Sequence, residues 1–294
     1  MATNTKLTIN PKTPLYAQCV DYLHWCRYTR GMTEVTIASK IWIFNKFYED
    51  TGCRDISKLS NGLFNKWAES RQKEGAGPVS LNRARSHMKC FVDYHREMGL
   101  TIPIKFTLIK RIREDPEPQF FCSKRDVDKA IKLAEKTSNQ TGLMIRIAFD
   151  TGLRASELMR LKVSEVKGQQ LDFLAKGRIT RHTFITRDTA KLLKAYIVKN
   201  QIEDYLWPGR FGGHIAYNTL RRQIEKPFKA LGLEEFHPHS LRHSCVADLE
   251  SRGASVEEIY AFLGHRNLKS TQHYLHRIHE ADTLLRIHKK YHKF

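Results

Sequence analysis

Residues 101–121 read TIPIKFTLIKRIREDPEPQFF and mark the clearest break in the chain. Pro103, Pro116 and Pro118 cannot donate backbone hydrogen bonds and favour extended conformations, helical periodicity lapses, and the cluster KRIRE concentrates charge. A chain of 294 residues is long enough to bury two cores, one on each side of such a break. The expected division is a first domain over 1–102, a basic proline-containing linker over 103–119, and a second domain over 120–294.

The first domain reads as all helix. LYAQCVDYLHWCRYTR places Leu15, Cys19, Tyr22 or Leu23 and Cys26 on one stripe, and TEVTIASKIWIFNKFYEDTG opens at a threonine cap and stops at Gly52. SNGLFNKWAESRQKEG ends at glycine, and PVSLNRARSHMKCFVDYHREMG runs from Ser80 to Gly99. The second domain opens with Ser123 capping KRDVDKAIKLAEKT, followed by the apolar helix GLMIRIAFDTG. QQLDFLAKG and RHTFITR then alternate as a short antiparallel hairpin turning at KGR, and helices broken by loops continue from Thr189. The fold class expected is mainly α: a helical bundle followed by an α-rich α+β domain with one small antiparallel sheet.

Fifty Lys and Arg against 31 Asp and Glu give a formal net charge of +19, more than solubility requires, which implies an acidic polymer or surface as partner. The N-terminus lacks the apolar core of a signal peptide, and no run reaches the length of a membrane span. The six cysteines are scattered without a CxxC pair and read as reduced thiols of a cytoplasmic protein. Nucleic acid is the expected partner of such a chain.

HPHSLRHS, residues 237–244, holds three histidines and an arginine. His239 and His243 stand one helical turn apart, as two metal ligands can. A zinc-protease helix, however, has a glutamate between its histidines, and here Ser240, Leu241 and Arg242 intervene. A guanidinium beside the ligands also repels a dication, so neither a metal nor any other cofactor is expected. Satisfied core histidines are the plain alternative for the segment alone.

Other pieces share its chemistry. Arg154 sits in TGLRASEL with Glu157 one turn on, placed to orient a guanidinium. Lys176 lies in the hairpin turn AKGR, His265 in LGHRN, and Tyr274 in STQHYLH. Two arginines, two histidines and a lysine around one phosphate can neutralise a pentacoordinate phosphorane, since the arginine fork matches paired phosphate oxygens. Tyrosine then serves as a nucleophile whose phosphotyrosyl adduct preserves the bond energy for religation.

This constellation resembles the catalytic domain of the tyrosine recombinase (phage integrase) family, most of all its Xer-type members. Their pattern of Arg, Lys in a β-turn, H-x-x-R, His or Trp, and Tyr is matched in order over roughly 120–294. The chain departs from the Xer pattern in lacking a VPL ending after Lys176 and in having Ala175 before it. The resemblance implies that Arg154 and Arg242 clamp the scissile phosphate, that His239 is the general base, and that Lys176 protonates the departing 5′ oxygen. It implies a further phosphate hydrogen bond from His265 and attack by Tyr274, with Glu157 and His243 in support. It also implies a clamp around double-stranded DNA, a homo- or hetero-tetramer on two sites, strand exchange through a Holliday junction, and a cytoplasmic, nucleoid-associated protein. The tail at about 280–294, EADTLLRIHKKYHKF, resembles the segment that docks on a neighbouring protomer. Type IB topoisomerase-like relaxation and a catalytically silent DNA-binding regulator are the rival functions.

Overall fold

The computed structural model describes residues 6–114, 119–175 and 179–264. The chain divides into two compact units, Met1–Pro116 and Glu117–Phe294.

In the first unit, α1 (Pro14–Tyr28), α2 (Glu34–Thr51), α3 (Asn61–Lys73) and α4 (Pro78–Glu97) surround an aromatic core. Thr13, Thr33 and Ser60 cap the first three helices with side-chain oxygens that accept orphan backbone N–H groups. Gly52 ends α2 in the left-handed region that glycine enters without strain. The rings of Phe44 and Phe91 lie 4.7 Å apart, and those of Tyr22 and Phe91 lie 5.3 Å apart. Helix α4 starts at Pro78, two residues before the expected Ser80, because Gly77 and Pro78 form its cap and first turn.

The segment expected as a linker departs from that expectation. Ile102, Ile104 and Phe106 are buried in the first core, and the Ile104 N–H donates to the Leu59 carbonyl at 3.1 Å. Asn82 exchanges two hydrogen bonds with the backbone of Ile112, at 2.8 and 3.0 Å, and Arg85 donates to the carbonyls of Phe106 and Ile109. Alternating apolar side chains let an irregular segment pack where proline forbids a helix, so the stretch as far as Ile112 belongs to the first unit.

The second unit is built from α5 (Lys124–Glu135), α6 (Asn139–Thr151), the single turn α7 (Ala155–Leu158), α8 (Arg187–Lys199), α9 (Tyr217–Lys229), α10 (Pro238–Ser251) and α11 (Val256–Leu263). A three-stranded antiparallel sheet in the order β1 (Val166–Lys167), β2 (Gln170–Ala175), β3 (Ile179–Phe184) stands beside them. Its small size matches the expected hairpin, with β1 as an added third strand. Ser123 caps α5, whose Val127, Ala130, Ile131 and Ala134 form one buried stripe at helical spacing. Helix α10 is buried on nearly every side from Ser240 to Ala247 and is the axis of the unit.

Along β2 and β3 the pairs Leu171–Thr183 and Phe173–Arg181 face inward, while Asp172–His182 face solvent. The period of two therefore carries an arginine into the interior. Among the described residues no helix is long and apolar enough to cross a membrane.

Candidate active site

Gly152 ends α6 with φ of 60°, and a Cβ at that position would lie 2.8 Å from Leu263 Cδ2 and 3.6 Å from Cys245 Sγ. Only glycine lets the turn press this closely against α10 and α11. Two residues later Arg154 stands in extended backbone as the N-cap of α7. Its N–H donates to Oε2 of Glu157 at 2.9 Å, and its Nη1 donates to Oε1 of the same carboxylate at 2.9 Å. Glu157 is buried, whereas Arg154 keeps 37% of its side chain exposed. The carboxylate thus aims an accessible guanidinium.

Arg242, on α10, is wholly buried. Its Nη1 donates to the Gly152 carbonyl, and its Nη2 donates to the Leu263 carbonyl at 3.3 Å. His239 and His243 pack edge to face at 5.0 Å, one turn apart on the same helix. Burial, reinforced by Arg242, His237 and Arg154, pushes the His239 pKa down to about 4. Burial with His239, His237 and Arg242 nearby pushes His243 down to about 3. Both imidazoles are neutral at pH 7, so His239 is in the state a general base requires.

The structure therefore brings Arg154, Glu157, His239, Arg242 and His243 together. Lys176, His265, Tyr274 and the tail at 280–294 lie outside the described residues. Cys245, which borders the Gly152 turn, has its thiol pushed up to about 12 by burial and is no nucleophile.

One polar residue here escaped the sequence analysis. Arg181, on β3, is buried with Nη2 donating to the carbonyls of Phe262 at 2.7 Å and Thr151 at 3.3 Å. Its Nη1 lies 3.6 Å from Glu157 Oε2. Burial lowers its pKa, Glu157 opposes that shift, and Arg154 adds to it. The signal that marks it is strand alternation: Arg181, Thr183 and Ile185 share the buried phase. Among the described residues, two guanidiniums share the Glu157 carboxylate, and Arg242 with two neutral histidines lies on the helix packed against the adjoining Gly152 turn. Such an excess of buried positive charge suits an anion. Among the same residues no group of three or more His, Cys, Asp or Glu is arranged to hold a metal ion.

Residues 121–280 match the phage integrase family. The chain belongs to that family. The recombinase is 26% identical over 243 residues to tyrosine recombinase XerC of Chromohalobacter salexigens, covering 78% of this chain and 80% of that protein. It is 25% identical over 280 residues to tyrosine recombinase XerD of Oceanobacillus iheyensis, covering 87% and 92%. In fold it is similar to XerH site-specific recombinase bound to palindromic difH substrate, with a TM-score of 0.73, 17% identity, and 96% and 91% of the two chains covered. It is likewise similar to lambda integrase bound to DNA, with a TM-score of 0.72, 18% identity, and 92% and 98% covered. This is an Xer-like tyrosine recombinase, an enzyme of site-specific recombination.

Proposed function

We propose that this recombinase cuts and rejoins double-stranded DNA through a 3′-phosphotyrosyl intermediate, without a metal ion. The observation that carries the reading is the Arg154–Glu157–His239–Arg242 cluster, in which fixed guanidiniums outnumber the carboxylate and the histidines are neutral. A phosphodiester supplies the missing negative charge, and the charge that grows in its transition state is greater than that of its ground state.

In this mechanism Arg154 meets the non-bridging oxygens from the open side of the site and Arg242 from its buried floor. Tyr274 attacks phosphorus as its proton passes to His239, and the 5′ oxygen departs with a proton from Lys176. His265 donates a further hydrogen bond to the phosphate. Glu157 and His243 fix the groups they touch. Religation reverses each transfer, leaving free enzyme and an intact backbone.

The helical unit at 6–114 is proposed as a second DNA-binding element, since the +19 excess is far more than the site itself uses. Strand exchange through a Holliday junction in a tetramer, with the segment at 280–294 linking protomers, completes the reading. The XerH and lambda integrase relatives in fold, both bound to DNA, support duplex DNA as the partner.

The test is to incubate the protein, in excess chelator, with nicked duplexes carrying a randomised centre. Covalent complexes are then recovered and their DNA ends sequenced. A consensus cleaved with a free 5′-hydroxyl, and recombination between two plasmid copies of it, is the expected outcome. Adducts that form only with added zinc or magnesium contradict the reading, as does plasmid relaxation without exchange between sites.

A further inference from the structure

Glu157 serves two guanidiniums. Its Oε1 and Oε2 accept from Nη1 and the backbone N–H of Arg154, and the same Oε2 faces Nη1 of Arg181 at 3.6 Å. The exposures of the two arginines differ: Arg154 keeps 37% of its side chain open, whereas 7% of Arg181 is open. A buried carboxylate paired with Arg154 alone would cancel the charge the site needs, because a close ion pair presents little net field to a third group. A third charge behind the carboxylate changes that balance.

Arg181 is also held rigidly. Nη2 is fixed by the Phe262 and Thr151 carbonyls, the guanidinium lies 5.6 Å from the centre of the Phe173 ring, and Gly264 leaves room for it. A Cβ on Gly264 would sit 3.0 Å from Arg181 Cδ and Nε, so the close approach depends on that glycine.

We propose that Arg181 is a positioning residue of this active site: as the buried counter-cation of Glu157, it lets the carboxylate aim Arg154 without neutralising it. In this role Arg181 acts on Arg154 through Glu157. The assignment rests on the phosphotyrosyl reading above and adds to it a residue outside the family pattern of Arg, Lys, H-x-x-R, His and Tyr.

The experiment measures single-turnover formation of the covalent adduct on a nicked duplex of the recovered consensus. It compares wild type with Arg181→Met, Glu157→Gln, the double variant and Arg181→Lys, with duplex affinity and thermal unfolding measured in parallel. Arg181→Met should bind the duplex within a few-fold of wild type yet form adduct about 10²-fold more slowly. In the Glu157→Gln background, where no carboxylate charge remains to be balanced, the same substitution should cost less than about fivefold. Arg181→Lys retains the charge and should stay within about tenfold of wild type.

An equal penalty from Arg181→Met in both backgrounds overturns the proposal, because a purely structural arginine is indifferent to the charge of Glu157. Should Arg181→Met fail to fold or to bind the duplex, Arg181→Lys carries the test, and a loss of about 10² or more there overturns it. A wild-type protein that yields no Tyr274-dependent adduct instead refutes the phosphotyrosyl reading itself, which separates the two failures.

Discussion

Arg181 and Arg242 tie the same two turns together in parallel. Arg181 bonds to the carbonyls of Thr151 and Phe262, and Arg242 bonds to those of Gly152 and Leu263, the next residue along in each case. One arginine comes from a strand and the other from a buried helix, yet both join the end of α6 to the end of α11. Arg154 follows the first of these turns by two residues, and His265 follows Gly264 after the second. Both turns are thus pinned by charge-assisted bonds, which are stronger than neutral ones.

Gly152→Ala tests that clamp. The added methyl meets Leu263 at 2.8 Å in backbone of positive φ. The expected cost is about 2–3 kcal/mol from strain and overpacking, read by chemical denaturation, with adduct formation slowed in step. A neutral result would mean that the two turns do not meet as described.

Glu157→Ala removes the acceptor of both Arg154 bonds and leaves Arg181 buried without its carboxylate. Breaking a buried ion pair from one side should cost about 3 kcal/mol, well above the effect of a surface carboxylate. Denaturant unfolding of Glu157→Ala beside an exposed control such as Glu234→Ala measures the difference. Equal stabilities would show Glu157 to be dispensable for this fold.

The histidines set a pH dependence. His239 has its pKa pushed down to about 4 by burial, then by Arg242, His237 and Arg154, so the unfolded chain binds the proton more readily than the folded one. Stability is therefore fully present above the unfolded value of about 6.5 and falls as pH drops toward about 4. Between pH 6.5 and 5 this residue accounts for about 1.5 kcal/mol of the loss. His239→Gln should lose that much less stability over the interval than wild type. Parallel pH profiles for the two proteins would contradict the neutral, buried assignment.

How far the sequence foretold all this varies with the kind of signal. Ser123 announced α5, because capping is local. The motif TGLR marked a glycine whose reason is visible only in space, where Leu263 and Cys245 approach from distant parts of the chain. Ile104 and Phe106 read as linker because prolines nearby speak against helix and say nothing about an irregular segment packed into a core. Arg181 was missed since a charged residue in a strand ordinarily faces water. Its burial depends on partners at Thr151 and Phe262 that no local pattern reveals.

Lys176 calls for a test that separates a proton donor from a DNA anchor. If it is the acid, Lys176→Ala should lose about 10² or more in cleavage of an ordinary phosphodiester. It should recover on a duplex with sulfur at the 5′-bridging position, where a thiolate departs unprotonated. Arg242→Ala, which removes charge stabilisation, should not recover. Equal rescue of both variants, or of neither, would reduce Lys176 to an anchor.

The central claim is that a tyrosine carries the DNA. Wild-type protein and Tyr274→Phe are incubated in excess chelator with a nicked duplex of the recovered consensus, and covalent complexes are resolved under denaturing conditions. Wild type should form an adduct whose DNA maps to a peptide containing Tyr274, and Tyr274→Phe should bind the same duplex with unchanged affinity and form none. An undiminished adduct in Tyr274→Phe would contradict the account.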